Sequence, residues 1–474
     1  MAKVVPKKIY SHRNRYFCRV FDLISKANEQ DMKKILVLGA GRSSAHVIRY
    51  LLDNSEGRWE VWVADVEKSA SESKIFNHEY GKAFALDSHN GELRRELISK
   101  SDLVISMLPA SMHPLIATDC VNLKKHLITP SYVSDEMWQL DLAAKEAGVL
   151  LLNEMGVDPG IDHMSAKKIL DEIHKKGAKL LSFESYTGGL IAPESDNNPW
   201  NYKVTWNPRN VVLAGYGGTA RYQKDGSPRY IPYHRLFKEV ERIQLEGFGG
   251  FDGYVNRDSL KYKKIYNLEE IPTLLRGTLR REGFCEAWDA LVQTGLTDDS
   301  FSLENPSSMT WSQLTSSFLD LNSQESLPEA CARKLQLSAE VIEKLDWLGI
   351  FDDLPLGIEQ GSPAVALQKL IEQKWKLEEG DKDMIVMWHR FRYETITGQT
   401  NELTSALVCL GEDEVYTAMS KTVGLPIAIA AKLILLGQLN LKGVQLPLLS
   451  EIYEPVLEEL AKFDIVFNDK ESIL

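Results

Sequence analysis

From Lys33 to about Asn153 short apolar runs alternate with longer stretches of mixed charge. The runs Lys34–Gly39, Trp59–Asp65, Gly81–Leu86, Leu103–Met107, His126–Thr129 and Val149–Asn153 predict strands, and the stretches between them predict helices. That rhythm implies βαβ units and a parallel sheet covered on both faces. From Glu154 to about Glu282 the texture changes, and Gly, Pro, Tyr and Trp become frequent. Leu181–Thr187 and Lys203–Trp206 predict strands of a mixed sheet separated by long loops. From about Gly283 to Gly380 the pattern turns helical and acidic, with apolar spacing in Ala339–Trp347 and Val365–Trp375. Asp383–Met387 resumes the mixed sheet, and Ala418–Leu436 predicts a long buried helix that returns to the first unit. The expected class is α/β. A parallel-sheet domain over 32–154, completed by 437–474, is joined to a mixed α+β domain over 155–282 and 381–436, with an all-α insertion over 283–380.

Charge narrows the function classes. The 474 residues carry 67 Asp and Glu against 55 Lys and Arg, a net charge of −12. A general nucleic-acid or anionic-membrane binder needs a basic face, so neither partner is expected. The most apolar stretch, Ile427–Leu436, is short for a membrane span and contains Lys432. Cys18, Cys120, Cys285, Cys331 and Cys409 show no CxxC spacing, which implies neither a disulfide framework nor a metal site and fits a reducing, cytoplasmic setting. Residues 1–31 place Lys3, Lys7, Lys8, Arg13 and Arg15 ahead of the first acid, Asp22, without an apolar signal core. This extension is expected as an arm or short helix on the main body, with an organelle-targeting segment as the alternative.

The first strand runs into Gly39-Ala40-Gly41-Arg42-Ser43-Ser44 and then a helix. Gly39 permits a tight turn, Gly41 leaves room for a pyrophosphate, and amides at the helix start face the anion. Ser44 stands where the third glycine of the fingerprint falls; it is small enough for close packing, and its hydroxyl could bond a phosphate. A Rossmann dinucleotide-binding domain is therefore expected. Asp65 ends the second strand, somewhat further beyond Gly39 than the usual spacing of about 20 residues. A carboxylate there accepts hydrogen bonds from ribose hydroxyls and repels a 2′-phosphate, which favours NAD and leaves NADP as the alternative. Leu108-Pro109 closes the fourth strand and is expected to line the cofactor; His113, nearby, reads as a helix-start histidine rather than a catalytic one.

Later motifs are more distinctive. Ser131-Tyr132-Val133-Ser134 follows the fifth strand, and Gly156-Val157-Asp158-Pro159-Gly160-Ile161-Asp162-His163 follows the sixth. Next come Ser185-Tyr186-Thr187-Gly188-Gly189, Asn197-Asn198-Pro199, Tyr254-Val255-Asn256-Arg257-Asp258-Ser259 and Arg276-Gly277-Thr278-Leu279-Arg280. Lys382–Met387 and Lys421–Pro426 lie near the end. Together they closely resemble the saccharopine dehydrogenases of the L-glutamate-forming type, from about Lys33 to the C-terminus. The resemblance implies a homodimer in which the mixed domain binds substrate and dimerises. It implies that saccharopine, water and oxidised nicotinamide cofactor give glutamate, 2-aminoadipate 6-semialdehyde and reduced cofactor, by hydride loss beside the secondary amine and hydrolysis of the imine. It also matches Ser131 and Tyr132 to the junction of cofactor and substrate, and Gly156, Val157 and Asp158 to a loop touching both. Arg257 and Thr278-Leu279-Arg280 match substrate contacts.

The residues suit a substrate with three carboxylates: Arg257 and Arg280 are natural bidentate partners, and Thr278 with Leu279 could complete a cradle. Asp158 is the candidate to hold the protonated amine or assist its proton loss, and Tyr132 the candidate to orient the reactants. Two positions depart from the family pattern: Ala110 where many members have Tyr, and Thr187 where many have Cys. The alternatives are an imine reductase of the carboxynorspermidine synthase type, against which the paired arginines speak, and a non-catalytic relative that senses cofactor.

Overall fold

A computed structural model describes residues 32–322 and 324–474; the extension 1–31, expected as an arm or short helix, lies outside these residues. The first six strands are β1 (Lys33–Leu38), β2 (Trp59–Asp65), β3 (Gly81–Ala85), β4 (Leu103–Ser106), β5 (His126–Ile128) and β6 (Leu150–Leu152). They are followed by β7 (Lys179–Ile191), β8 (Ala220–Lys224), β9 (Ser227–Ile231), β10 (Val240–Leu245), β11 (Gly249–Val255), β12 (Thr273–Arg281), β13 (Asp383–Glu394) and β14 (Thr400–Leu410). The last two are β15 (Gly443–Gln445) and β16 (Asn468–Ile473).

These strands build two sheets. The first has seven strands in the order β15-β6-β5-β4-β1-β2-β3, all parallel. Its central residues Ile35 to Leu38 and Leu103 to Ile105 are fully buried, as a sheet covered on both faces requires. The second has nine strands; its main path is β10-β11-β12-β7-β13-β14-β16, with β8 and β9 attached beside β12. It is mixed, because β12 runs parallel to β7 whereas β13 runs antiparallel to it. The stretch 437–474 is thus divided: β15 extends the first sheet and β16 the second. Lys203–Trp206, expected as a strand, joins neither sheet; Val204 donates instead to the Trp375 carbonyl at 2.7 Å. Val204 is buried in the core shared by the second sheet and the helical insertion, and Trp206 packs against the cores of both sheets.

That insertion, between β12 and β13, contributes the helices Phe284–Gln293, Trp311–Ser317, Leu327–Leu335, Ala339–Leu348 and Pro363–Lys374. It shares one core with the second sheet. Trp200 and Trp375 pack edge to face at 5.2 Å, and Phe284 stacks on Trp288 at 5.6 Å.

Three helices position the site: α1 (Ala45–Asp53), α2 (Ile161–Lys175) and α3 (Ala418–Leu435). Helix α3 is long and apolar enough by composition to cross a membrane, but its apolar surface is buried in the core of the first sheet. It crosses α1 at Gly424, where an added Cβ would meet the Val47 nitrogen at 2.7 Å, so the two backbones almost touch. Its first turn is held by Asp383 of β13, whose carboxylate accepts from the Ala418 and Met419 amides, the latter at 2.9 Å. Burial pushes that carboxyl up to about 6, against the pull of the amides. Helix α3 therefore ties the second sheet to the first.

Candidate active site

The dinucleotide end lies beyond the C-terminal edge of β1, where open parallel sheets bind nucleotides. Gly39 has φ +100°, and a Cβ there would press on the Met107 carbonyl oxygen at 3.0 Å. At Gly41 an added Cβ would meet nothing within 4 Å. The space above the turn is open, at the start of the helical segment Arg42–Ser44 that continues as α1. An anion fits there, facing backbone amides. Ala40 is buried, Arg42 is exposed and Ser43 is half-buried. Leu108 and Pro109 follow β4 and stay partly open at the mouth of the cleft.

Two expectations about this end are corrected. Ser44 is buried and its hydroxyl donates to the Gly41 carbonyl at 2.8 Å, so it closes the turn instead of reaching a phosphate. Asp65 does end β2, but its carboxylate accepts from the Ala40 amide at 2.7 Å and from the Glu67 amide at 3.3 Å. Its Oδ2 braces the glycine turn and its Oδ1 the turn that follows β2, so it is not the free carboxylate from which the preference for NAD was argued.

His113 bridges the ends of two strands. One ring nitrogen meets Ser106 Oγ at 2.9 Å and the other meets Ser131 Oγ at 2.8 Å. Burial lowers its pKa to about 4, so the ring is neutral, donating at one nitrogen and accepting at the other. Its function is to hold the Ser131 hydroxyl in place, a role hidden in the sequence because the two serines are brought together only by the sheet.

Beside Ser131 the chain presents Tyr132, whose hydroxyl donates to Asp158 Oδ1 at 2.7 Å. The same oxygen receives Arg276 Nη2 at 2.6 Å, and that guanidinium also pairs with Asp162. Arg276 is 6% exposed, and its charge lies 4.0 Å from the centre of the Tyr262 ring. Tyr132 is 37% exposed, but desolvation at its hydroxyl, and then the Asp158 charge, raise its pKa above the usual phenol value, so Tyr132 stays a donor. Gly156 and Val157 are buried in the loop that carries Asp158, which is tied off by the Gly156 amide donating to the Pro159 carbonyl at 2.9 Å. Arg276 was legible only as part of a motif; the two closely spaced carboxylates in Asp158-Pro159-Gly160-Ile161-Asp162 were the signal that a cation must answer them.

Strand β12 continues from Arg276 through Thr278 to Arg280 on one face, because side chains alternate along a strand. Thr278 is half-buried. Leu279 points to the opposite face, and its carbonyl accepts from Arg280 Nη1 at 3.1 Å. Arg280 is 4% exposed, and its charge lies 5.1 Å from the Tyr202 ring and 5.5 Å from the Phe284 ring. Among the described residues no carboxylate pairs with it. Its Nε, the Thr187 and Thr205 hydroxyls and the Tyr202 hydroxyl are all buried without a hydrogen-bond partner. Arg257, by contrast, is exposed, with φ +48°; it follows β11 at the level of Arg276, because the Asn256 amide bonds the Arg276 carbonyl at 2.9 Å. The structure therefore separates the two arginines expected to share the substrate. Tyr202 and Thr205 were absent from the sequence-based set, since no motif marks them.

This polar face of the second sheet is turned toward the dinucleotide fold. His389 of β13 bonds Ser165 of α2 at 2.9 Å, and a Cβ at Gly189 of β7 would meet Met419 of α3 at 2.9 Å. The glycine turn, the Tyr132–Asp158 junction and the Arg280 hollow thus belong to one region between the sheets.

The model of the saccharopine dehydrogenase NADP binding domain matches residues 35–152, and that of the saccharopine dehydrogenase C-terminal domain matches residues 156–465. The chain belongs to the saccharopine dehydrogenase family. It is 32% identical over 449 residues to saccharopine dehydrogenase [NADP(+), L-glutamate-forming] of Pyricularia oryzae, covering 92% of this chain and 99% of that one. It is 33% identical over 446 residues to the protein of the same name from Saccharomyces cerevisiae, with 92% and 99% covered. A match to the mitochondrial alpha-aminoadipic semialdehyde synthase of Bos taurus, 34% identical, covers all of this chain but 52% of that larger protein. The solved structure of the apo L-Glu-forming enzyme from Saccharomyces cerevisiae superposes with a TM-score of 0.84 at 32% identity, covering 93% of this chain and all of that one. These matches establish an oxidoreductase family fold with a nicotinamide-dinucleotide domain.

Proposed function

We propose that the protein oxidises saccharopine with NADP and water to L-glutamate and 2-aminoadipate 6-semialdehyde. The observation that carries this reading is Arg280, a buried cation without a carboxylate partner among the described residues, in a hollow whose hydroxyls also lack partners. Burying an unpaired guanidinium costs several kcal/mol, and a substrate carboxylate would remove that cost. Arg257 would hold a second carboxylate. The two lie at levels of β12 four residues apart, about 13 Å along a strand, which suits a long substrate with carboxylates at both ends. At the Arg276 level Asp158, fixed by Arg276 and Tyr132, would offer a negative charge to the secondary amine and hold its proton. Ser131, fixed by His113, offers a hydroxyl at the cofactor side. A nicotinamide held at the glycine turn would supply the hydride acceptor for the carbon beside that amine.

NADP is preferred here over NAD on two grounds: the relatives are named for NADP, and Asp65 is occupied by the glycine turn. The polyamine-type reductase is disfavoured because a substrate with fewer carboxylates would leave Arg280 unanswered. A homodimer is part of the same reading and is checked by light scattering of the purified protein. The deciding assay follows reduced-cofactor absorbance with saccharopine and either NADP or NAD. Turnover with NADP well above NAD supports the proposal; turnover favouring NAD overturns the cofactor assignment; cofactor binding without turnover overturns the enzyme assignment.

A further inference from the structure

The motif residue His163 and its neighbour in space, Glu154, have no part in the reaction described above, yet both are almost wholly buried. Glu154 stands between β6 and the Asp158 loop with φ +59°, a left-handed conformation that costs a residue with a Cβ about 1 kcal/mol or more. Such a conformation persists where the surroundings fix it. Here three bonds do so. The Glu154 amide donates to the Ser131 carbonyl at 3.2 Å, Glu154 Oε1 accepts from the Val133 amide at 2.9 Å, and Oε2 meets His163 Nε2 at 2.7 Å. The first two bonds fall on the residues immediately before and after Tyr132. His163 is anchored in turn in the first turn of α2, with Nδ1 on the Tyr266 hydroxyl at 2.5 Å.

We infer that Glu154 is a positioning residue for the reaction centre, a clamp that grips the chain on both sides of Tyr132 and, through His163, fixes it to α2 so that the Tyr132 hydroxyl meets Asp158. Asp158 opens the turn that leads into the same helix, so the clamp references both partners of the Tyr132–Asp158 bond to one rigid element. The groups facing His163 are Glu154, Asp162, Tyr262, Tyr266, Arg276 and, across Ser165, His389. Burial alone would lower the His163 pKa, and the charges of Asp162 and Glu154 reverse that and raise it. The same charges favour a protonated ring, and a charge-assisted hydrogen bond is stronger than a neutral one.

The inference rests on the saccharopine reading for its kinetic test, so a second readout is independent of substrate. In the first, Glu154→Ala is expected to lower kcat by roughly 10- to 100-fold, with the cofactor Kd changed less than about 2-fold. Glu154→Gln keeps an oxygen for the Val133 amide and an NH₂ for a neutral His163, and is expected to restore kcat to within about 5-fold of the parent. In the second, 3-fluorotyrosine placed at position 132 gives one sharp ¹⁹F resonance in the parent and in Glu154→Gln, but a broadened or shifted one in Glu154→Ala. If Glu154→Ala does not fold, His163→Ala, which keeps a good helix former in α2, is expected to broaden the same resonance and lower kcat by about 3- to 10-fold. An unchanged ¹⁹F line in a folded Glu154→Ala or His163→Ala protein, or a Gln variant as impaired as the Ala variant, overturns the clamp. A parent protein inactive on saccharopine overturns the substrate reading alone and leaves the ¹⁹F outcome to decide the clamp.

Discussion

Arg276 and Arg280 sit four residues apart on the same face of the same strand, and both are buried, yet their surroundings are opposite. Arg276 lies between Asp158 and Asp162 and stacks on Tyr262. Arg280 has aromatic rings, unpartnered hydroxyls and one backbone carbonyl. A buried charge answered by the protein stabilises the architecture, because removing one partner strands the other. A buried charge left unanswered is tolerated where a ligand supplies the counter-charge. The junction end of the site is thus a completed frame, and the Arg280 end is the proposed receptor.

The comparison fails or sharpens in four ways. The largest effect is expected from Arg276→Met, which leaves the buried Asp162 and the half-buried Asp158 without their cation and should cost about 3–5 kcal/mol of folding stability in urea titration. A loss below about 1 kcal/mol would mean that Arg276 is not what holds the frame. Arg280→Met should do the reverse. Stability should hold or rise, the cofactor Kd should stay within about 2-fold, and kcat/KM for saccharopine should fall about 100-fold or more. A destabilised Arg280→Met protein with unchanged kcat/KM would place Arg280 in the frame too.

A smaller effect comes from three buried, neutral histidines. Burial lowers His46 and His113 to about 4 and His389 to about 3, against an ordinary value of 6.5. Between 6.5 and about 4 the unfolded chain binds more protons than the folded one. Their stabilisation is therefore complete above 6.5 and is lost as pH falls, by about 2 kcal/mol for each of His46 and His113 at pH 5. Asp383, pushed up to about 6, acts in the opposite sense, its contribution being present below the ordinary 3.8 and lost as pH rises through 6. Asp383→Asn should therefore steepen the acid loss seen by thermal melting between pH 4 and 6, and a shallower profile would contradict that sign. The smallest effect is at the open turn. Gly41→Val, filling space that holds no protein atom, should weaken cofactor binding about 10-fold and change stability by less than about 1 kcal/mol. A destabilised variant with unaltered affinity would put the cofactor elsewhere.

Much of the fold was legible because it rests on local pattern. Six of the seven strands of the first sheet, the glycine turn and the long apolar helix each announce themselves within a window of a few residues. The Lys203–Trp206 segment misled for the same reason: it alternates like a strand, but the neighbour that accepts its backbone bond is Trp375, far along the chain. Asp65 was found at the right place but without its protein partner, since the sequence shows a carboxylate at a strand end but not the Ala40 amide that turns toward it.

The sequence by itself determined the periodic elements, the dinucleotide turn and the family, because each depends on residue order over short spans or on motifs kept in sequence. Only the tertiary structure decided which polar groups answer one another. Charge neutralisation in a low-dielectric interior depends on distance in space. Asp158 and Arg276, or Glu154 and the chain flanking Tyr132, become partners only when two sheets and the helices between them are assembled. For the same reason the unpartnered state of Arg280, on which the functional reading turns, is a property of the folded molecule and of no segment within it.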